Sequence, residues 1–340
     1  MKQHRSTTWF VWGSLVLTMS MIWPVSCAQG RLGDRLFGRS DTEEPAAEEG
    51  GTDDQPASGS TKVDLTFGAL DRFYIIHVPY SYDKAKPTPL VINMHGGGGN
   101  PAQQQRDSGM DKVADENGFV VVYPAGSGKM KERFLTWNIG MSDTYATINN
   151  IDDIGFLRAV IKDVSGNYTI DKKRVYATGF SQGAMMCYKV ACEMSDVFAA
   201  VAPVSGVMQV PRSDCKPARA MPIIHFHGLE DPNVAYKGGV GPKAHDKVPR
   251  PGVQESIDFW LAQDGIDIKP VKQGRTGQAE FKEYGPGKNG AQIILWTLDD
   301  GGHAWPGGNS SLPEWKVGKV NKDVRASDLI WSFFKKYSMP

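Results

Sequence analysis

The chain of 340 residues has few cysteines, no excess of charge of either sign and only one long apolar run. Four cysteines are too few for a small disulfide-stapled scaffold, although they leave room for one or two bridges. Lysine plus arginine and aspartate plus glutamate each number 38, so no basic excess indicates a nucleic-acid partner. No internal repeat is present. The composition is that of an ordinary soluble globular protein.

The single long apolar run lies at the amino terminus, at residues 9–25. It follows a short basic start and precedes small residues, the pattern of an export signal cleaved after Ala28. A lipoprotein signal with Cys27 as the lipidated residue is the alternative, although Pro24 stands where such signals usually carry leucine. The run is shorter than the ~20 residues of a membrane span. We therefore expect a secreted or periplasmic protein, or one attached to a membrane through a lipid on Cys27.

Residues 29–61 have the composition of an acidic, disordered linker. Three arginines stand against eight carboxylates there, and most other residues are small or polar. Such a segment buries too little apolar surface to offset the entropy of ordering it. The domain organisation predicted is a signal at 1–28, this linker, and one catalytic domain at 62–340.

The remaining sequence alternates short β-branched runs with helical patterns, which predicts a mostly parallel sheet with helices on both faces. The predicted strands are 73–78, 90–94, 119–123, 174–178, 199–204, 222–226 and 292–298, and the predicted helices are 154–164, 182–192, 253–261 and 326–334. The runs up to Val78 are expected to form antiparallel strands at one edge. Three long polar loops, 127–151, 232–251 and 307–323, are expected to border a cleft.

The most informative motif is Gly-Phe-Ser-Gln-Gly at 179–183, between a predicted strand and a predicted helix. A sharp strand-to-helix turn exposes the hydroxyl of its central serine, and glycines on either side avoid steric clashes. Ser181 is therefore the candidate nucleophile. The other reading is a chance match in a glycine-rich chain, which the placement between strand and helix disfavours.

A serine nucleophile needs a general base and an acid that orients it, and after this motif they follow in the order acid, then histidine. Asp231 follows the strand at 222–226, with Glu230 beside it as the rival acid. His303 lies in a glycine-flanked turn after the last predicted strand. The predicted triad is Ser181, Asp231 and His303.

A glycine-rich turn at 96–99 follows another predicted strand. Backbone N–H groups without side chains in the way are what a tetrahedral oxyanion requires. We expect one donor from Gln182 and the other from Gly96, Gly97 or Gly98. The turn lacks the Lys-Ser/Thr of a phosphate-binding loop, and His95 before it is assigned a structural role.

His225 and His227 form the one pair that suggests a metal site together with Asp231. A third ligand with suitable spacing is missing, so packing at the strand end is the preferred interpretation. No metal and no organic cofactor are expected.

Six segments taken together resemble the secreted esterases grouped with polyhydroxybutyrate depolymerases and feruloyl esterases: VINMHGGGGN, FVVVYPAG, IDDIGFLRAVI, GFSQGAMMCYKVACEMSDVFAAVAPVSG, PIIHFHGLEDPNVAY and GGHAWPGG. The resemblance covers roughly residues 71–334. It implies the α/β-hydrolase fold, ester hydrolysis, and the same triad of Ser181, Asp231 and His303. It also supports a Cys192–Cys215 disulfide, which the short excursion between the two residues permits, and it leaves Cys187 as a buried free thiol.

The substrate expected from this resemblance is a feruloyl or acetyl ester on plant polysaccharide, or a small ester. Polyhydroxybutyrate is the alternative substrate, and a peptidase or a catalytically silent polysaccharide-binding protein are the other classes considered. Trp137, Tyr236 and Trp305 lie in or beside the long loops, where their rings are predicted to stack on a sugar or phenolic ring. An anchoring role within the loops is the other interpretation of these three.

Overall fold

In the computed structural model, ten strands form one sheet within the described residues, 58–140 and 142–340. The predicted signal, Cys27 and residues 29–57 of the predicted linker lie outside these residues. The strands are β1 (Gly59–Phe67), β2 (Leu70–Val78), β3 (Thr88–Met94), β4 (Val120–Pro124), β5 (Ile170–Phe180), β6 (Ala200–Val204), β7 (Ile223–Gly228), β8 (Lys272–Thr276), β9 (Ala279–Tyr284) and β10 (Ile293–Leu298).

The strand order in the sheet is β1-β2-β4-β3-β5-β6-β7-β10-β9-β8. The six central strands, from β4 to β10, pair in parallel. Antiparallel hairpins close the two edges, β1–β2 on one side and β9–β8 on the other. The carboxyl ends of the parallel strands therefore lie along the same side of the sheet, perpendicular to the edge strands, and ligands bind at this side in open α/β folds.

The described residues contain eight α-helices. They are α1 (Pro101–Ser108), α2 (Met110–Asn117), α3 (Tyr145–Ile148), α4 (Asp153–Asn167), α5 (Gln182–Glu193), α6 (Val253–Asp264), α7 (Glu314–Val317) and α8 (Ala326–Phe334), with a short 3-10 turn at Lys288–Gly290. Local sequence sets several boundaries. Asn100 caps α1 by accepting from the N–H of Gln103, with Pro101 as the first helical residue, and Asp152 caps α4.

Alternate residues of the parallel strands build a separate core on each face of the sheet. Leu90 and Ile92 of β3 face one layer, where Phe156 of α4 and Met185 of α5 are buried. Val91 faces the opposite layer, which includes Val113 of α2 and Trp331 of α8. Strands buried on both faces explain the nearly continuous apolar runs of the sequence.

All seven predicted strands and all four predicted helices are present, with boundaries shifted by a few residues. The antiparallel edge before Val78 is confirmed by the β1–β2 pair. The strand β1 begins at Gly59, three residues before the predicted start of the domain at 62. The sequence analysis missed α1, α2, α3, α7, β8 and β9. Of these, α1, β8 and β9 bury few apolar residues, and α3 and α7 have only four residues each.

Cys192 at the end of α5 forms a disulfide with Cys215, and their Cα atoms are 4.8 Å apart. Cys187 is buried in the same helix and is unpaired among the described residues. The bridge therefore ties the helix that follows Ser181 to the segment after β6. None of the helices in the described part of the chain is long and apolar enough to traverse a bilayer.

Candidate active site

Ser181 lies on the sharp turn between β5 and α5. Its backbone is at φ 55° and ψ −115°, a strained region for a residue with a side chain. Glycines make the turn sterically possible: a Cβ on Gly183 would lie 2.2 Å from the carbonyl oxygen of Met94, and one on Gly179 2.8 Å from it. The turn is also held by the N–H of Ser181, which donates to Val204 O at 2.9 Å.

The three predicted polar residues lie together at the carboxyl ends of β5, β7 and β10. The Ser181 hydroxyl is 2.9 Å from His303 Nε2, and His303 Nδ1 is 2.8 Å from Asp231 Oδ2. Because the carboxylate accepts at Nδ1, the imidazole carries its proton there and presents Nε2 to the serine as an acceptor. This geometry allows the imidazole to remove the proton of the serine hydroxyl.

Asp231 is buried, yet it is held as a carboxylate. Oδ1 accepts from the N–H groups of Asn233 and Val234, each at 2.8 Å, while Oδ2 faces His303. Burial acts to raise the pKa of Asp231, but the charge of His303 and these hydrogen bonds outweigh it, so the pKa is below its usual value. Glu230, the rival acid, is exposed, and the side-chain hydrogen bonds of His303 in the described residues go to Asp231 and Ser181.

The glycine-rich turn after β3 is fixed by His95. Its Nε2 accepts from the N–H of Gly126 at 2.9 Å, and its Nδ1 donates to Gly96 O at 2.8 Å. The ring is buried and lies 5.0 Å from that of Trp137, whose Nε1 donates to the carbonyl oxygen of His95. Burial lowers the pKa of His95 to about 4, so the ring stays neutral. These contacts agree with the structural role expected for His95.

The turn brings Gly97 against Gln182, the first residue of α5. A Cβ on Gly97 would lie 2.5 Å from Gln182 Cδ, so a larger residue there would displace the Gln182 side chain. The first N–H groups of a helix have no intrahelical partner, which leaves that of Gln182 available. The N–H of Gly98 already donates to Leu135 O at 2.8 Å. The expected oxyanion donors are therefore corrected to Gln182 with Gly96 or Gly97.

Comparisons with known proteins identify the family of the chain. The family model described as "Esterase PHB depolymerase" matches residues 73–267 of the chain.

The chain belongs to the esterase PHB depolymerase family.

Two curated relatives point to the same class of enzyme. Feruloyl esterase B of Piromyces equi is 32% identical over 274 residues, covering 79% of this chain and 46% of that protein. A bifunctional acetylxylan esterase/xylanase of Neocallimastix patriciarum is 36% identical over 231 residues, covering 67% of this chain and 31% of that protein. The chain thus spans less than half the length of these two relatives. By family, it is a carboxylic ester hydrolase.

A solved structure shows the same fold. Acetyl xylan esterase from Aspergillus awamori superposes with a TM-score of 0.55 at 19% identity, covering 72% of this chain and 94% of that one. With its central parallel strands and its serine on the turn after β5, this PHB depolymerase-family esterase has the α/β-hydrolase fold.

A small cavity of about 20 Å³ lies beside His303 in this esterase. Phe180, Trp305 and Leu312 supply apolar walls, and Gln103 and Asp107 are among the polar lining residues. A single water needs roughly 10–15 Å³ on this measure, so the cavity holds one or two groups of that size.

The predicted substrate contacts are only partly placed at this site. Trp137 is fully buried, with its indole N–H occupied by His95 O, and this expectation is therefore corrected to an anchoring role. The half-buried Tyr236 is likewise corrected: its ring packs on His227 and its hydroxyl lies 3.3 Å from Thr297 Oγ1. Trp305 lines the cavity but is 2% exposed and donates to Ser327 Oγ, so it is a wall and offers no open face.

Two exposed aromatic residues that the sequence analysis missed lie on segments hydrogen-bonded to the backbone of the site. Phe134 is 68% exposed with a positive φ of 55°, and the next residue, Leu135, is bonded to Gly98 and Gly99. Trp315 is 74% exposed in α7, two residues before Val317, whose carbonyl accepts from the N–H of His303 at 2.5 Å. Their signal in the sequence was weak because only the fold joins these loops to the site.

His225 and His227 lie on β7 in the interior, behind the triad. Their rings are stacked, with centroids 5.4 Å apart, and burial lowers the pKa of each. No group of three histidine, cysteine or acidic side chains in the described part of the chain is arranged to hold a metal ion. Both rings instead take part in hydrogen bonds within this protein, His225 with Tyr188 and His227 with the carbonyl oxygen of Val234.

Proposed function

We propose that this esterase cleaves its substrate with Ser181 as nucleophile, His303 as general base and Asp231 as the acid that orients His303. The observation that carries the proposal is the unbroken contact from Ser181 Oγ through His303 to Asp231 Oδ2, at 2.9 and 2.8 Å. His303 takes the serine proton as Oγ attacks the ester carbonyl, and the ionised Asp231 stabilises the resulting imidazolium.

The tetrahedral intermediate carries its negative charge on the former carbonyl oxygen. We assign the N–H of Gln182 and that of Gly96 or Gly97 as its donors, because the glycine turn packs against Ser181 and Gln182 and these N–H groups have no other partner among the described residues. His303 then returns the proton to the leaving alkoxide, and the ester C–O bond breaks to leave an acyl group on Ser181. A water molecule, deprotonated by His303, releases the acid and restores the serine.

The acyl group that fits best is short, with acetyl as the model. The cavity of about 20 Å³ beside His303 admits a methyl-sized group. A cavity that takes up benzene has a volume of about 150 Å³, so we expect a feruloyl ring to lie outside this cavity, in the open cleft. This argument favours the acetyl half of the expected substrate pair.

The alcohol side of the ester is proposed to be a polysaccharide. Phe134 and Trp315 offer exposed flat rings on loops that are bonded to the glycine turn and to the segment of His303. Aromatic faces of this kind stack on sugar rings at binding sites. The names of the relatives, feruloyl esterase and acetylxylan esterase, agree with an ester linked to plant polysaccharide.

Export is part of the proposal. The disulfide between Cys192 and Cys215 persists in an oxidising compartment, which supports removal of residues 1–28 or lipidation of Cys27. The intact mass of the protein recovered from its host distinguishes the two, because only lipidation adds acyl chains.

The deciding experiment compares acetate release from acetylated xylan with ferulate release from methyl ferulate, each beside a Ser181→Ala control. We expect acetate release that is lost in the control. An organophosphonate should label Ser181, which a catalytically silent binding protein would not allow. Undiminished hydrolysis by Ser181→Ala would remove the proposed triad. Efficient ferulate release would contradict the preference for a short acyl group that the cavity size suggests. Hydroxybutyrate oligomers are the third substrate to be tested.

A further inference from the structure

A chain of three buried side chains runs behind the proposed triad. The Tyr188 hydroxyl lies 2.8 Å from His225 Nδ1, and His225 Nε2 lies 3.3 Å from His227 Nδ1. His227 Nε2 in turn lies 2.8 Å from the carbonyl oxygen of Val234. All three side chains are fully buried.

Hydrogen-bond chemistry gives this chain one direction. The carbonyl oxygen of Val234 can only accept, so His227 carries its proton on Nε2 and its Nδ1 is an acceptor. His225 must then donate from Nε2, which makes its own Nδ1 the acceptor for the Tyr188 hydroxyl. Every ring nitrogen has a partner while both imidazoles are neutral, and no lone pair is left for a metal.

The hydrogen-bond chain from Tyr188 ends beside the carboxylate that faces His303. His227 Nε2 is 3.4 Å from Asp231 Oδ2, and the N–H of Val234 donates to Asp231 Oδ1. His227 therefore holds the carbonyl group of Val234 by a hydrogen bond and lies in contact with the Asp231 carboxylate. The other end of the hydrogen-bond chain is Tyr188 in α5, the helix that begins at Gln182.

We propose that His227 is a positioning residue for Asp231, held in its Nε2–H tautomer by the hydrogen-bond chain from Tyr188 through His225. This inference rests on the proposed function, because it assumes that Asp231 orients His303. The chain links the helix after Ser181 to the loop of Asp231. It keeps the carboxylate aligned with His303 while contacting neither substrate nor Ser181.

The first test reads the tautomers directly. Two-bond proton–nitrogen correlation spectra of the folded protein with 15N-labelled histidine should show His225 and His227 in the Nε2–H form. His95 should show the opposite, Nδ1–H form, since its Nε2 accepts from Gly126. The signals are assigned by their loss in single-histidine variants. An Nδ1–H tautomer at His227 would overturn the proposal.

The second test uses a pair of amides of different length. The side chain of His227→Gln offers one acceptor and a donor that reaches the position of Nε2, whereas His227→Asn is too short to place a donor there. We expect kcat per active site, counted by organophosphonate titration, to fall about 10- to 100-fold in His227→Asn with KM little changed. His227→Gln should recover most of that loss.

Two outcomes contradict the positioning role: a kcat for His227→Asn within twofold of the parent, or His227→Gln as impaired as His227→Asn. If His227→Asn does not fold, Tyr188→Phe decides, because it removes only the distant hydroxyl. It should lower kcat several-fold at unchanged KM, and an unaltered kcat would count against the chain. Full activity in Ser181→Ala would overturn the proposed function while leaving the tautomer result standing.

Discussion

The backbone of Gly97 and the side chain of Gln182 are packed so closely that a single added carbon would overlap them. The Cβ of an alanine at 97 would lie 2.5 Å from Gln182 Cδ. Gln182 Oε1 also accepts from the N–H of Trp137 at 3.3 Å, and moving the amide away from the added carbon would break this hydrogen bond. The glycine turn and the first residue of α5, which supply the proposed oxyanion donors, are thus fixed relative to one another by direct contact.

Gly97→Ala should therefore impair catalysis more than folding. Loss of one oxyanion donor costs roughly 10²–10³ in kcat, and we expect a fall of that order for this variant. Gly166→Ala in α4 is the matched control, because a Cβ there meets no atom within 4 Å. The control should keep full activity and gain slightly in stability. Steady-state rates and melting temperatures of both variants check the prediction, and a fully active Gly97→Ala would contradict the donor assignment.

Asp231→Asn should lower kcat by about 10⁴, because an amide in place of the carboxylate favours the wrong tautomer of His303. The neighbouring Glu230→Gln changes the same charge one residue away on an exposed side chain and should leave kcat unaltered. Rates on a small activated acetate ester, measured for both variants, discriminate between the two acids. A large loss in Glu230→Gln instead would reverse the assignment.

Trp315→Ala and Phe134→Ala should reduce activity on polymer selectively. Stacking contributes to binding of a sugar chain but not of a small ester, so kcat/KM on acetylated xylan should fall several-fold while that on a small acetate ester stays constant. Tyr80→Ala is the control: this ring is 76% exposed but follows β2, which runs antiparallel to β4 and ends at the opposite edge of the sheet. Equal losses on both substrates would argue against a polysaccharide subsite.

Removing the Cys192–Cys215 bridge should destabilise the fold without changing the chemistry. The two cysteines are 23 residues apart. Closing a loop of that size lowers the entropy of the unfolded chain and raises its free energy by roughly 3 kcal/mol. A Cys192→Ser/Cys215→Ser double variant should melt several degrees lower and keep its kcat at low temperature. Reductant should lower the melting temperature of the parent protein only; an equal effect on the variant would show that another thiol is responsible.

Asp264 should make the stability of the protein depend on pH. Burial raises its pKa from 3.8 to about 7, although it accepts from the N–H of Met221. Because the folded state holds this proton more tightly than the unfolded state, the associated stability is present below about pH 4 and is lost as the pH rises through 7. Asp264→Asn removes this dependence.

The stability advantage of Asp264→Asn over the parent should therefore grow between pH 5 and pH 8, which denaturant titrations at several pH values measure. Asp267→Asn, which removes a carboxyl group from a nearby exposed residue, serves as the control. A constant difference across this range would contradict the raised pKa.

Much of the fold follows from local sequence patterns. Apolar β-branched runs mark the buried parallel strands, and the position of α8 at Ala326–Phe334 coincides with the apolar periodicity. Elements with little apolar surface escaped this reasoning. The polar helix α1 and the exposed strand β8 are stabilised by the neighbours they pack against, and a local pattern does not reveal those neighbours.

The candidate site divides in the same way. Ser181 and His303 stand in glycine-rich turns after buried strands, and such turns are recognisable from spacing alone. The choice between Glu230 and Asp231 required the tertiary structure, since side chains of adjacent residues point in different directions. The roles of the aromatic residues also required it: Trp137 is buried, whereas Trp315 and Phe134 are exposed on loops beside the site.

The sequence by itself determined the alternation of strands and helices, the family, and the residue types able to perform ester hydrolysis, because these depend on local periodicity and short motifs. The tertiary structure alone decided which N–H groups remain unpaired beside Ser181, how small the cavity at His303 is, and that Tyr188, His225 and His227 form one chain. Those features depend on distances between segments far apart in sequence, which are fixed only when the sheet brings the carboxyl ends of its strands together.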